Sequence, residues 1–192
     1  MKQSTLAFFK TNSFVIAIIM AFLMLLTRGS HVLTQLSLPD ASLALLLIGG
    51  LYLRKALWFG VFILLATAID FGAAAIDSIQ AFCLTPGYWG MLPTYAVMWL
   101  AGVWLSKQAE PLNIVKYALI SVLATVAAFI ISTQTYYLFS GRFPAEGMAE
   151  SLQHGWEYLP SYLSFTVMYL ASFWLVAKVL SKPSIFGHSA KA

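Results

Sequence analysis

Residues 56–75 read ALWFGVFILLATAIDFGAAA, a run with one ionisable side chain, Asp70. At helical rise such a run spans about 30 Å, the hydrocarbon thickness of a bilayer. No alternation with period two runs through it, which argues against a barrel strand. It therefore predicts a membrane-crossing helix. The same test applied outward finds five more apolar blocks, at 12–27, 41–53, 88–105, 114–139 and 158–180. Breakers separate them: Arg28-Gly29-Ser30, Arg54-Lys55, Thr85-Pro86-Gly87, residues 107–111 and residues 141–155.

The whole composition agrees with that block. The 192 residues are 60% hydrophobic and 9% charged, with a mean hydropathy of +0.82. Soluble domains carry about 25% charged residues. A cytosolic enzyme, a secreted disulfide scaffold and a disordered tail are excluded. The expectation is one all-α integral membrane domain over residues 1–192, with six transmembrane helices embedded in the lipid bilayer. The net charge of +4 and pI near 9.2 do not point to nucleic acid, because the basic residues stand singly between apolar blocks.

Charge orients the bundle. With the N-terminus in the cytoplasm, Lys2, Lys10, Arg54, Lys55, Lys107, Lys116, Lys178, Lys182 and Lys191 fall inside, nine of the eleven Lys and Arg. Only Arg28 and Arg142 fall outside. The positive-inside rule selects six spans with both termini in the cytoplasm. Asp40, Asp70, Asp77, Glu146, Glu150 and Glu157 sort to the outer side, and Glu110 to the inner. The outer face is thus expected to carry the chemistry. Lys2 and Lys10 before an apolar stretch resemble a signal peptide, but no A-x-A-like site follows, so the first helix is read as uncleaved.

Several residues are costly in lipid. Asp70 lies about 7 Å inside the outer end of its helix, and an ionisable group at that depth marks a candidate site. Gly72 and the neighbouring alanines allow another element to approach there. Asp77 reads as a solvated loop charge. Cys83, the only cysteine, falls in the next outer loop, where a lone thiol is either buried and inert or kept for its chemistry. His31 follows the first helix, His154 sits in a polar outer loop and His188 in the inner tail; no zinc spacing joins them.

The 41–53 block is too short to span. Leu38-Pro39-Asp40 resists a straight helix before it, and Asp40 is placed to cap it. Irregular backbone at membrane depth implies a cavity. Tyr88, Trp89, Thr94, Tyr95, Tyr158 and Tyr162 suit its outer rim or an aromatic belt. Gln134 and its threonines read as hydrogen-bonding lining. In the first helix Ala17 and Ala21 form a small-residue face for close packing, a spacing that Ala124 and Ala128 repeat.

Six short helices, the A-x-x-x-A of helix one and an outer pocket resemble the substrate-binding S-component of an energy-coupling factor (ECF) transporter. The order His31, Asp70, Cys83, Tyr88 is similar to the BtuM family of cobalamin S-components. The resemblance spans most of the chain. It implies a bacterial inner-membrane protein that binds vitamin B12 (cobalamin) in an outward-facing pocket and carries it inward. It further implies that Ala17 and Ala21 meet a coupling subunit. ATP hydrolysis would belong to other subunits, and this chain has no G-x-x-x-x-G-K-[ST]. The resemblance also implies that the chain needs no cofactor of its own and that cobalamin is its cargo.

Under that resemblance Cys83 supplies a thiolate to cobalt, a soft ligand replacing the nucleotide base and leaving the corrin base-off. Asp70 meets a corrin amide or takes the thiol proton, Tyr88 contacts the corrin, and His31 closes the pocket or approaches the other axial face. Cobalt-thiolate contact also permits loss of an axial cyanide with reduction of the metal, making Cys83 a candidate catalytic residue for decyanation. Two alternatives stand beside this: an S-component for another vitamin, and an outer-face cysteine transpeptidase of the exosortase type built on Cys83, Arg142 and His154. The last needs an activated thiolate and an oxyanion-binding arginine, and here the arginine lies in a loop.

Overall fold

The structure, a computed structural model, describes residues 13–28, 38–108, 114–143 and 147–180. All regular structure among them is helical. The main helices are α1 (Ser13–Arg28), α2 (Ser42–Tyr52), α3 (Ala56–Ile76), α4 (Met91–Ser106), α5 (Ile114–Phe139) and α6 (Leu159–Leu180). A helical turn, Met148–Ser151, and 3-10 turns at Gln80–Cys83, Pro86–Gly90 and Trp156–Tyr158 join them. Among the described residues three segments are long and apolar enough to cross a membrane: α3, α5 and Met148–Lys178, which contains most of α6.

Turns before two helices displace their starts from the apolar blocks. The block at 88–105 becomes a helix only at Met91, because Pro86 opens a 3-10 turn that occupies residues 86–90. Pro93 then sits in the first turn of α4, where a missing N–H costs little. Tyr158 likewise belongs to a 3-10 turn, entered from Gly155 at φ +84°, and α6 begins one residue later.

The short second block is the centre of the fold. The eleven residues of α2 span only about 16 Å. They touch α1, α3, α4 and α6. Residues 44–50 are all buried. Leu46, Leu47, Met24, Phe62, Met98 and Leu105 are essentially sealed from the surface around them. Small residues bring α2 against α4. A Cβ on Gly50 would collide with the Trp99 carbonyl oxygen, and one on Gly102 with the Leu47 carbonyl oxygen.

The outside is apolar too. Phe14, Ile18 and Phe22 on α1, and Leu57, Leu64 and Phe71 on α3, are exposed. Contiguous apolar surface of this extent suits lipid, which gives such side chains no reason to turn inward. Ala17 is different: it is 4% exposed and lies in the core, with Ala21 half-buried beside it.

Candidate functional site

The ends of α1, α2 and α3 converge on Arg28, the last residue of α1. Its Nε donates to Asp70 Oδ1 at 2.6 Å and its NH2 to Asp70 Oδ2 at 2.5 Å. Such a two-bond fork matches the plane of guanidinium to the plane of carboxylate. NH1 donates to Asp40 Oδ2 at 3.0 Å, to Ser42 Oγ at 3.2 Å and to the Tyr95 hydroxyl. NH2 also reaches Met91 Sδ at 3.1 Å. The side chains of Arg28 and Asp70 are 13% and 19% exposed, and that of Asp40 is 49% exposed.

Local structure fixes each partner. Asp40 Oδ1 accepts the Ser42 N–H at 2.9 Å and the Ser42 hydroxyl at 2.5 Å, an Asx turn at the entrance of α2. The expected cap thus acts one residue ahead of the helix cap itself, Ala41. Thr27 Oγ1 accepts the Ala41 N–H at 3.3 Å, and Tyr169 on α6 donates to the Pro39 carbonyl at 2.8 Å. The non-helical strap 38–40 is therefore tied to α1, α2 and α6. Tyr88 in the 3-10 turn donates to Asp70 Oδ2 at 2.8 Å, its ring edge-on to Phe71. Burial first, then the hydrogen bond and charge of Asp70, push the Tyr88 phenol up to about 12, so it stays a donor.

A cavity of about 480 Å³ opens beside this network. That is the size of an ordinary small-molecule pocket. Thr27, Arg28, Asp40 and Asp70 form its polar wall; Leu38, Pro39, Ala73, Leu84 and Phe165 form its apolar wall; Gln80 adds an amide. Cys83 lies in the turn Gln80–Cys83, between two of these lining positions.

Of the residues singled out from sequence, Asp70 and Tyr88 meet directly, and the turn carrying Cys83 borders the same cavity. His31 and His188 lie outside the described residues. Asp77 ends α3 and accepts the Ile79 N–H at 2.9 Å, a loop role. Two readings are corrected. Among the described residues nothing lies within 4 Å of the Gly72 Cβ direction, so none of them makes a close approach there. Gln134 does not line the cavity: its amide clamps Ser151, donating to the carbonyl at 3.1 Å and accepting from the hydroxyl at 2.7 Å. A polar helix residue can serve a neighbouring loop as readily as a ligand.

Sequence reasoning missed Arg28 and Tyr95. Arg28 was read as a topology charge. Its signal was present, because a carboxylate at membrane depth requires a partner and Arg28 is one of two cations that the positive-inside sorting groups with the carboxylates. Tyr95 was assigned only to the rim.

A second cluster surrounds Cys83's neighbour. The Arg142 guanidinium lies 3.8 Å over the Phe82 ring and donates to the Phe82 carbonyl at 3.2 Å. Phe82 packs on Tyr136, Tyr136 on Tyr137, and Tyr137 stacks on His154. No protein-family model matches the chain, and no curated protein matches it significantly.

Proposed function

We propose that this chain is a six-span membrane carrier, with both termini in the cytoplasm, that takes cobalamin from the outer side as an ECF-type S-component does. The observation that carries the reading is the cavity between the Arg28–Asp70–Tyr88 network and the turn holding Cys83. It offers an apolar wall for a flat ring and carboxylate and amide groups for ring amides, and the turn that carries Cys83 adjoins it. A thiolate there would ligate cobalt, with the metal itself lowering the thiol pKa. Contact of α1 with a coupling subunit belongs to the same proposal. With Ala17 in the chain's own core, the apolar outward face of α1 is the available surface.

The test is the absorption spectrum of purified protein after incubation with cobalamin, wild type beside Cys83→Ala. A retained corrin whose spectrum differs from free base-on cobalamin, and reverts in the variant, is expected. Absence of any retained corrin overturns the cobalamin reading and leaves another vitamin as cargo. Retention with an unaltered spectrum in both removes the thiolate ligand.

One observation favours a second reading, the outer-face transpeptidase: Arg142 is held on Phe82, adjacent to Cys83, and His154 joins the same aromatic patch. Loss of reaction with a thiol-directed peptide probe in the variant Arg142→Gln would support it, whereas a variant whose ligand binding is untouched would favour transport. Unchanged probe reactivity would remove it.

A further inference from the structure

We infer that Asp40, rather than Asp70, is the carboxylate that meets the ligand of this cavity, and that the ligand presents to it a hydrogen-bond donor or a positive charge. The inference rests on the small-molecule reading of the cavity and names what the molecule must carry.

Counting donors leads to it. A guanidinium has five N–H groups and no acceptor. All three Arg28 nitrogens are engaged, with Asp70, Asp40, Ser42, Tyr95 and Met91. Arg28 therefore holds the site together and has no donor left for an anionic ligand. Asp70 is nearly enclosed and takes two bonds from Arg28 and one from Tyr88. Asp40 is unlike it. Oδ1 is filled by Ser42, but among the described residues Oδ2 takes a single bond, from Arg28, and half of the side chain is exposed. A carboxylate oxygen has room for a second donor.

Charge points the same way. The lining contains two carboxylates and one guanidinium, with no lysine or second arginine among the described lining residues. The polar wall carries an excess negative charge beside an apolar wall. Such a site favours an apolar body bearing an amide N–H or ammonium group and disfavours a carboxylate or phosphate.

The experiment uses the full-length protein in detergent and two probes. One is cyanocobalamin; the other is the same corrin with one side-chain amide hydrolysed to a carboxylate. Wild type is expected to bind the amide form about tenfold or more tightly, and Asp40→Asn to bring the two within about twofold. Asn keeps an oxygen for the Ser42 amide, so α2 retains its entrance. Equal affinities in the wild type, or discrimination that survives Asp40→Asn, overturn the inference. If the variant does not fold, the wild-type comparison decides alone. If the wild type binds neither corrin, cobalamin is wrong but the charge assignment is still tested by thermal shift with thiamine, a cation, and biotin, an anion. Stabilisation by thiamine alone upholds it; stabilisation by biotin, or by neither, overturns it.

Discussion

Arg28 and Asp70, forty-two residues apart in sequence, close a two-bond ion pair that joins the end of α1 to α3. Removing one partner of such a buried pair leaves the other charged and unsolvated, at a cost of about 3–5 kcal/mol. Arg28→Gln should therefore lower thermal stability sharply. Asp70→Asn should do less harm, because Arg28 keeps Asp40. The double variant should be more stable than the sum of the single losses predicts. Strict additivity in this cycle would show that the pair contributes no coupling.

The α2–α4 contact predicts a contrast between glycines. Gly50→Ala drives a methyl into the Trp99 carbonyl, and backbone on both sides prevents escape. A loss of at least about 1–3 kcal/mol follows, seen as a lower Tm. Gly72→Ala meets nothing and gains helix propensity, so its Tm should hold or rise slightly. Equal Tm changes for the two variants would contradict the packing described.

That contrast also shows what the sequence could and could not convey. Apolar run length and breakers located the six main helices among the described residues, three of which lie in segments long and apolar enough to cross a membrane. The short run at 41–53 signalled irregular backbone at 38–40 and a cavity, since eleven to thirteen helical residues fall short of the membrane. Helix starts slipped where Pro86 and Gly155 diverted the chain into 3-10 turns. Asp70 was visible through its cost alone. Arg28 could be inferred only as the partner such a carboxylate needs; which cation fills that role depends on which helix ends meet, and no local pattern encodes that. Gln134 and Gly72 failed for the same reason: residue type suggests a capability, and packing decides whether it faces a ligand, a loop or open space.

Tyr88 predicts an alkaline limb of stability. Its phenol ionises near pH 10 in an unfolded chain and is pushed up to about 12 in the fold. The folded state thus holds the proton more tightly. The contribution is intact below about pH 10 and is lost as pH rises through the folded value. Tyr88→Phe should lower Tm at neutral pH by losing the bond to Asp70. It should also flatten the decline between about pH 10 and 12 relative to wild type. Parallel curves for the two proteins would mean that Tyr88 does not titrate in this window as a partner of Asp70.

Under the cobalamin proposal Cys83 also predicts a reaction. A thiolate on one face of cobalt weakens the ligand on the opposite face. With two external thiols supplying one electron each to two loaded proteins, each cobalt(III) becomes cobalt(II), each cyanide leaves with its bonding pair and takes up a thiol proton, and the two thiols couple to one disulfide. Wild-type protein loaded with cyanocobalamin should release stoichiometric cyanide under these conditions, and Cys83→Ala only the background of the thiol alone. Cys83→Ser separates ligation from bulk: a hydroxyl fills the same space but is a poor, hard ligand for cobalt, so it should behave as alanine does. Release from the serine variant at the wild-type rate would place the electron transfer on the external thiol directly and remove Cys83 from the chemistry.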